Sequence, residues 1–277
     1  MSAKILDGKH VSNLIKKELK EKISNNNLSP KLAVILVGSN PASEVYVNHK
    51  RRACEIVGIT SIFHKLPQAT TQAELLTLIE NCNNDDSING ILLQLPLPPQ
   101  CNSDELLERI NPKKDIDGFH PYNLGRLAQR RPSLRPCTPY GIIQLLRHYD
   151  IKLAGLNIVI VGASNIVGRP LALEFLLAKS TVTVAHRFTN NLEQLVRHAD
   201  CVVSATGNLG VINSEWIKEG AIVIDVGIHR LEDGSLRGDI DFATAAAKAA
   251  WITPVPGGVG PMTVATLLQN TVQACSL

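Results

Sequence analysis

The sequence predicts an α/β protein of two domains, the second a Rossmann-like doubly wound parallel sheet. Three observations predict it. Short β-branched runs alternate with helical patterns through both halves of the chain. Those runs are nearly all apolar, as strands covered on both faces must be. The 277 residues exceed one domain of about 150, and a stretch rich in Pro and Gly at residues 111–136 separates the halves.

In the first half, residues 31–38 (KLAVILVG) read as a buried strand ending in Gly38. A helix over 41–57 follows, with Asn40 as N-cap, Pro41 at the first helical position and Gly58 as C-cap. Residues 61–66 form a second strand, 72–81 a helix with Leu75, Leu76, Leu78 and Ile79 on one face, and 90–95 (GILLQL) a third strand. Residues 111–136 read as loop. In the second half, strands are expected at 157–161, 181–185, 201–205, 221–226 and 251–256. Helical patterns cover 167–178, 192–198, 214–218 and 262–275.

Composition excludes several classes. With 44% hydrophobic and 19% charged residues the chain can bury a core and is not disordered. Twenty-eight Lys and Arg against 25 Asp and Glu leave +3, too balanced to imply nucleic acid or an anionic membrane as partner. The six cysteines contain no C-x-x-C pair, so neither a redox pair nor a zinc ribbon is suggested. The first twenty residues are polar, without an apolar signal region, and no run approaches the ~20 residues that span a bilayer. A cytoplasmic location is expected.

Four places carry candidate chemistry. Residues 159–170 (VIVGASNIVGRP) join a strand to a helix through Gly162 and Gly168. Such a turn either admits a pyrophosphate against free N–H groups and the positive helix end, or simply packs closely. Its spacing is not G-x-G-x-x-G. At the end of the next expected strand stand His186 and Arg187, where an NAD site carries an acid for the ribose 2′-hydroxyl. A basic residue there favours NADP, with a solvated Arg187 as the alternative.

Tyr46 and Lys50 lie four apart on one helix face. The neighbouring cations His49, Arg51 and Arg52, with partial burial, would lower the lysine pKa and make it a usable base, whereas an ordinary helix lysine is solvated. Gln94 interrupts an apolar strand and either satisfies a backbone group or points into a site at the strand's C-terminal end. In KKDIDGFHP (residues 113–121), a calcium loop with Gly118 at position 6 would need ligands at Lys113 and Leu124, so it is rejected and no metal is expected. Asp117 either accepts paired N–H donors of a ligand or bonds nearby backbone. The glycines of TPVPGGVGPM (residues 253–262) either admit a ligand or turn the chain into a helix, and no P-loop is present.

Seven ordered motifs occur together: YVNHKRRAC, GILLQLPLP, KDIDGFHPYNLGRL, RPCTPYGI, VGASNIVGRP, IDVGI and ITPVPGGVGPMT. With them the chain resembles, over essentially its whole length, the bifunctional methylenetetrahydrofolate dehydrogenase/methenyltetrahydrofolate cyclohydrolase family in its short bacterial-type form. The resemblance implies oxidation of 5,10-methylenetetrahydrofolate with NADP, then hydrolysis of the 5,10-methenyl cation to 10-formyltetrahydrofolate. It implies Lys50 as proton relay, Gln94 as its hydrogen-bonding partner and Asp117 as the group that orients the pterin. Tyr46, Pro256 and Gly257 would line the folate, Gly162, Ala163 and Ser164 the cofactor phosphates, and Ile228 the nicotinamide.

It further implies a homodimer and an active cleft between a domain at 1–138, completed by a helix at 260–277, and an NADP domain at 139–259. Since the sequence stops at Leu277, no synthetase domain is expected. His49, Thr206 and Asn208 depart from the family's usual residues. Two rivals remain: a shikimate-type dehydrogenase, which lacks Q-L-P-L-P, and a non-catalytic dinucleotide sensor, which has no need of Lys50.

Overall fold

A computed structural model describes residues 3–277. The elements run β1 (Lys4–Ile5), α1 (Gly8–Asn25), β2 (Lys31–Val37), α2 (Pro41–Val57), β3 (Thr60–Leu66), α3 (Gln72–Asn84), β4 (Gly90–Leu93), α4 (Ser103–Arg109), α5 (Pro121–Ala128) and α6 (Cys137–His148). They continue with β5 (Asn157–Val161), α7 (Gly168–Leu177), β6 (Thr181–Ala185), α8 (Leu192–His198), β7 (Cys201–Ser204), a 3₁₀ turn (Ser214–Trp216) and β8 (Ile222–Asp225). The last are β9 (His229–Arg230), β10 (Leu236–Arg237), α9 (Phe242–Lys248), β11 (Trp251–Ile252) and α10 (Val259–Ala274).

The chain divides into two compact units. One comprises Met1–Ser12 with Thr138–Thr263, the other Asn13–Cys137 with Val264–Leu277. The start of the chain therefore groups with the second half, where the sequence had assigned it to the first. The reason is pairing: β1 extends the larger sheet by lying parallel to β11, and Leu6 beyond it is fully buried.

In the unit containing Asn13–Cys137, three parallel strands run in the order β3-β2-β4. On one face Ala33, Ile35 and Val37 of β2 join Ile91 and Leu93 of β4 against Leu75 and Ile79 of α3. The opposite face of β2, Leu32, Val34 and Leu36, is buried as well. Burial on both faces explains why the strands read as unbroken apolar runs. Helix α2 matches its predicted caps: Asn40 accepts from Ser43 N, and Gly58 closes the helix at φ 90°. Helix α1, which the sequence reading did not include, buries a narrow stripe of Val11, Ile15, Leu19 and Ile23 at helical spacing, diluted by lysines and glutamates.

The other unit carries a six-stranded parallel sheet in the order β1-β11-β8-β7-β5-β6. From β5 the chain moves outward to β6, then returns past β5 to β7 on its other side. The point where direction reverses lies between the C-terminal ends of β5 and β7, the place where open α/β sheets bind ligands. Val159, Val161, Val202 and Val223 pack one face against Val196 and Ala245.

Three expectations change. The stretch 111–136 is not all loop, since α5 lies within it, started by Pro121 and capped by His120 Nδ1 accepting from Tyr122 N at 3.0 Å. The last strand stops at Ile252, because Pro254 and Pro256 have no N–H for a ladder. Residues 214–218 shrink to a 3₁₀ turn. Among the described residues no helix is long and apolar enough to cross a membrane.

Candidate active site and nucleotide site

Helix α2 buries Ser43, Val47, Lys50, Cys54 and Val57, a stripe at helical spacing that faces the sheet. Lys50 thus stands where an apolar residue belongs, only 9% exposed. Tyr46, one turn earlier, sits on the flank of this stripe with 42% exposure, so the two differ sharply in environment although they share one side of the helix. Burial raises the Tyr46 phenol above its usual range.

The Lys50 ammonium finds its partner at the end of β4. Gln94 Nε2 donates to Leu95 O at 2.6 Å, which turns its carbonyl Oε1 toward Lys50 Nζ at 3.2 Å. The glutamine thus satisfies a backbone group, one of the two alternatives raised for it, and in the same geometry accepts from the lysine. Cys54 lies close by, and burial pushes its thiol up to about 12, helped by Glu55 and opposed by Lys50. It is no nucleophile near neutral pH.

The D-I-D segment separates into two functions. Asp115 is 2% exposed and accepts from the amides of Gly118, Phe119 and His120 and from Asn123 Nδ2. It shapes the loop leading into α5. Asp117, two residues later and half-buried, has no side-chain hydrogen bond among the described residues. Burial raises its carboxyl above the ordinary range, the Lys50 charge pulls it back, and Asp115 pushes it up again. An acceptor pair held near a cation and left without donors is suited to a ligand that brings its own N–H groups. Lys50, Gln94 and Asp117 therefore gather at the C-terminal end of the three-stranded sheet, in one unit.

In the other unit Gly162 ends β5 at φ 122°. A Cβ there would overlap Ala205 O, and one on Gly168 would overlap Gly162 O. Both glycines thus serve close packing of strand, turn and helix. The Ser164 hydroxyl accepts from Val167 N at 3.2 Å and Gly168 N at 3.4 Å, so two of the amides expected to be free at the start of α7 already have a partner. Ala163 is half-buried, and residues 164–166 are exposed beyond the sheet. At the end of β6, His186, Arg187 and Phe188 are all exposed, with the Arg187 guanidinium 4.6 Å from the Phe188 ring centroid. No carboxylate stands in this turn, so its charge suits an anionic ligand group.

Ile228 is 44% exposed just before β9. Pro256 follows a cis peptide and is exposed, while Gly257, at φ 110°, offers its carbonyl to Lys9 N at 2.8 Å. These three lie in the unit of the six-stranded sheet. Sequence reasoning passed over Asp225, Asp239 and His229, whose carboxylates and ring tie together the loops at this sheet's end.

Family models agree with this division of labour. Residues 6–117 match the tetrahydrofolate dehydrogenase/cyclohydrolase catalytic domain, and 136–277 match the NAD(P)-binding domain of the same family. The chain belongs to the tetrahydrofolate dehydrogenase/cyclohydrolase family. It is accordingly an enzyme of folate one-carbon metabolism with methylenetetrahydrofolate dehydrogenase and cyclohydrolase activity, using a nicotinamide dinucleotide. Among solved structures, it is similar to the bifunctional FolD methylenetetrahydrofolate dehydrogenase/cyclohydrolase of Campylobacter jejuni, at 50% identity and a TM-score of 0.97, covering 99% of each chain. The FolD of Trypanosoma brucei, solved with NADP cofactor and inhibitor, matches at 37% identity and 0.95, covering 100% of this chain and 98% of that one. Shikimate dehydrogenase of Thermus thermophilus shares 17% identity at 0.55 over 88% of this chain and 99% of its own, a likeness of fold alone.

Proposed function

We propose that this family member carries its chemistry on Lys50, Gln94 and Asp117, takes its folate against Tyr46, Pro256 and Gly257, and uses NADP held by the turn Gly162–Ala163–Ser164, Arg187 and Ile228. The observation that carries the reading is Lys50, buried on the apolar stripe of α2 with Gln94 Oε1 at 3.2 Å. Placing an ammonium there costs desolvation, and among the described residues the side chain it hydrogen-bonds is a neutral amide. Such a position is suited to passing a proton to and from a reacting group.

In the cyclohydrolase step, the neutral amine form of Lys50 takes a proton from the water that attacks the methenyl carbon; as the five-membered ring opens it gives that proton to the departing ring nitrogen, and the second proton of the water leaves to solvent as the carbonyl forms. Gln94 holds the ammonium in line. Asp117 accepts the paired N–H groups of the pterin, and Tyr46 gives the folate an aromatic face. NADP, which Gly162, Ala163, Ser164, Arg187 and Ile228 would hold, would supply the hydride acceptor for the dehydrogenase reaction. Arg187 would pair with the 2′-phosphate, a reading supported by a β6 end that bears two basic side chains and no acid. The chain works as a cytoplasmic homodimer, a reading supported by the family resemblance.

A spectrophotometric assay with both folates and both nucleotides tests the proposal. Lys50→Ala is expected to remove conversion of 5,10-methenyltetrahydrofolate, and Arg187→Ala to narrow the NADP preference. Retained hydrolysis in the first variant, or NAD preferred by the wild type, overturns the corresponding assignment. Light scattering on the purified protein decides the dimer.

A further inference from the structure

We propose that Asp239 is a positioning residue for the nicotinamide dinucleotide, anchoring at once the turn beside Gly162 and the segment that carries Ile228. The inference rests on the nucleotide site proposed above.

Two Asp–Gly pairs interlock at the end of the six-stranded sheet. Asp225 ends β8 two residues before Gly227, and Gly238 immediately precedes Asp239. A Cβ on Gly227 would overlap the Asp239 carboxylate, and a Cβ on Gly238 would overlap that of Asp225. Each carboxylate thus fills the room left by the other pair's glycine. Asp225 Oδ1 accepts from Gly227 N at 2.9 Å and Asp239 N at 3.0 Å, and its Oδ2 accepts from Ile240 N at 2.9 Å. The backbone that carries Asp239 is therefore itself pinned.

Asp239, 2% exposed, spends its two oxygens on two different loops. Oδ2 accepts from Ser204 Oγ at 2.9 Å, Thr206 N at 3.0 Å, Thr206 Oγ1 at 2.9 Å and Gly207 N at 3.3 Å. Oδ1 lies 2.7 Å from His229 Nε2, which carries the proton because the ionised carboxylate has none to give. Burial works against this carboxylate, yet the hydrogen bonds from His229, Ser204 and Thr206 outweigh it and hold its pKa below the ordinary range.

Both loops lead to the nucleotide site. Ala205, between Ser204 and Thr206, donates to Val161 O at 2.8 Å and places its own carbonyl against Gly162 without room for a Cβ. A shift of the β7 turn is passed to the glycine turn by direct contact, since close-packed groups do not absorb displacement. On the other side His229 is the next residue after Ile228. One carboxylate thereby sets the spacing between the turn expected at the cofactor phosphates and the side chain expected at the nicotinamide. Ionised, with its acceptors turned toward four donors and a histidine, it touches neither nucleotide nor folate itself.

The test is steady-state kinetics of Asp239→Asn with NADP and 5,10-methylenetetrahydrofolate, alongside the nucleotide-free cyclohydrolase rate. The amide keeps the shape but loses one acceptor and the charge, so the KM for NADP is expected to rise about tenfold while the folate KM moves less than about threefold. The ratio of dehydrogenase to cyclohydrolase turnover is expected to fall by a similar factor. A merely structural residue would lower both activities in proportion to the folded fraction, and that result, or an unchanged NADP KM, overturns the proposal. If circular dichroism shows Asp239→Asn unfolded, Thr206→Val decides, since it removes a single hydroxyl: a raised NADP KM with an unmoved folate KM supports the anchor, and no change overturns it. Gly162→Ala separates the two levels of the argument. If Gly162→Ala leaves the NADP KM alone, the nucleotide site is misplaced; if Gly162→Ala raises it and Asp239→Asn does not, only the anchor is lost.

Discussion

The two parallel sheets end in different ways. At the C-terminal end of the three-stranded sheet the candidate site is made of side chains: a buried ammonium, the amide that faces it and a carboxylate left without donors. At the end of the six-stranded sheet they are backbone: a turn at φ 122°, a glycine pressed on a carbonyl and loops fastened by buried carboxylates. The difference teaches where substitutions act. A side chain that performs chemistry can be removed while its helix stays, whereas a backbone that performs binding can be changed only by moving it.

The largest effect is expected at Lys50. Lys50→Met keeps the length and suits the apolar stripe, so the fold should survive while cyclohydrolase turnover falls by about 10²–10⁴, the usual worth of a proton-transfer group. Stopped assays of methenyl hydrolysis with parallel thermal melts measure both. A variant of full activity would be a falsifying outcome for the side-chain half of the comparison.

Asp117 comes next. Its carboxyl is raised by burial, with Lys50 opposing, so the ionised form that accepts N–H donors is lost as pH falls, from a point above the ordinary carboxylate range near about 4. The wild-type kcat/KM should therefore decline on the acid side earlier than a solvated aspartate would allow. Asp117→Asn should lower kcat/KM by about 10- to 100-fold and flatten that acid limb. A limb that persists in the variant would assign it to another group.

The backbone side responds through geometry. Gly162→Ala introduces a Cβ at positive φ into a carbonyl, a strain of about 1–3 kcal/mol, and should lower the melting temperature as it raises the NADP KM. Asp115→Asn tests the neighbouring carboxylate, whose role is structural. It leaves backbone amides facing an NH₂ group and should cost about 1–2 kcal/mol in urea titration, with kcat of the folded fraction near wild type. The smallest change is expected for Arg187→Ala: an exposed cation opposite a phosphate is worth about 1 kcal/mol, roughly fivefold in the NADP KM, with the NAD KM unmoved. Measuring the last at two salt concentrations sharpens it, because screening should shrink the difference.

Much of this was legible before any coordinates. The caps of α2, the strands β2, β5 and β6 and the helix α8 follow from local chemistry, as Asn40, Pro41 and Gly58 illustrate. The candidate residues were legible through motifs, and Lys50 carried a second signal in its place on the stripe of Val47, Cys54 and Val57. Helix α5 was hidden because its start depends on a histidine cap and on Asp115 bonding forward to three amides. Asp117 was singled out through its motif, but only the folded loop shows that Asp115 is already occupied by the amides of Gly118, Phe119 and His120.

By itself the sequence determined the class of fold, the order of its main strands and the family, because periodicity, caps and turn residues act over a few positions and survive in the written chain. Tertiary structure alone decided that residues 4–5 complete the far sheet and that Gly162 and Gly168 are small for the sake of packing. It also decided that Asp225 and Asp239 share their space with each other's glycines. Those outcomes depend on atoms brought together from 6 to more than 200 positions apart, and no local pattern encodes which partner will arrive.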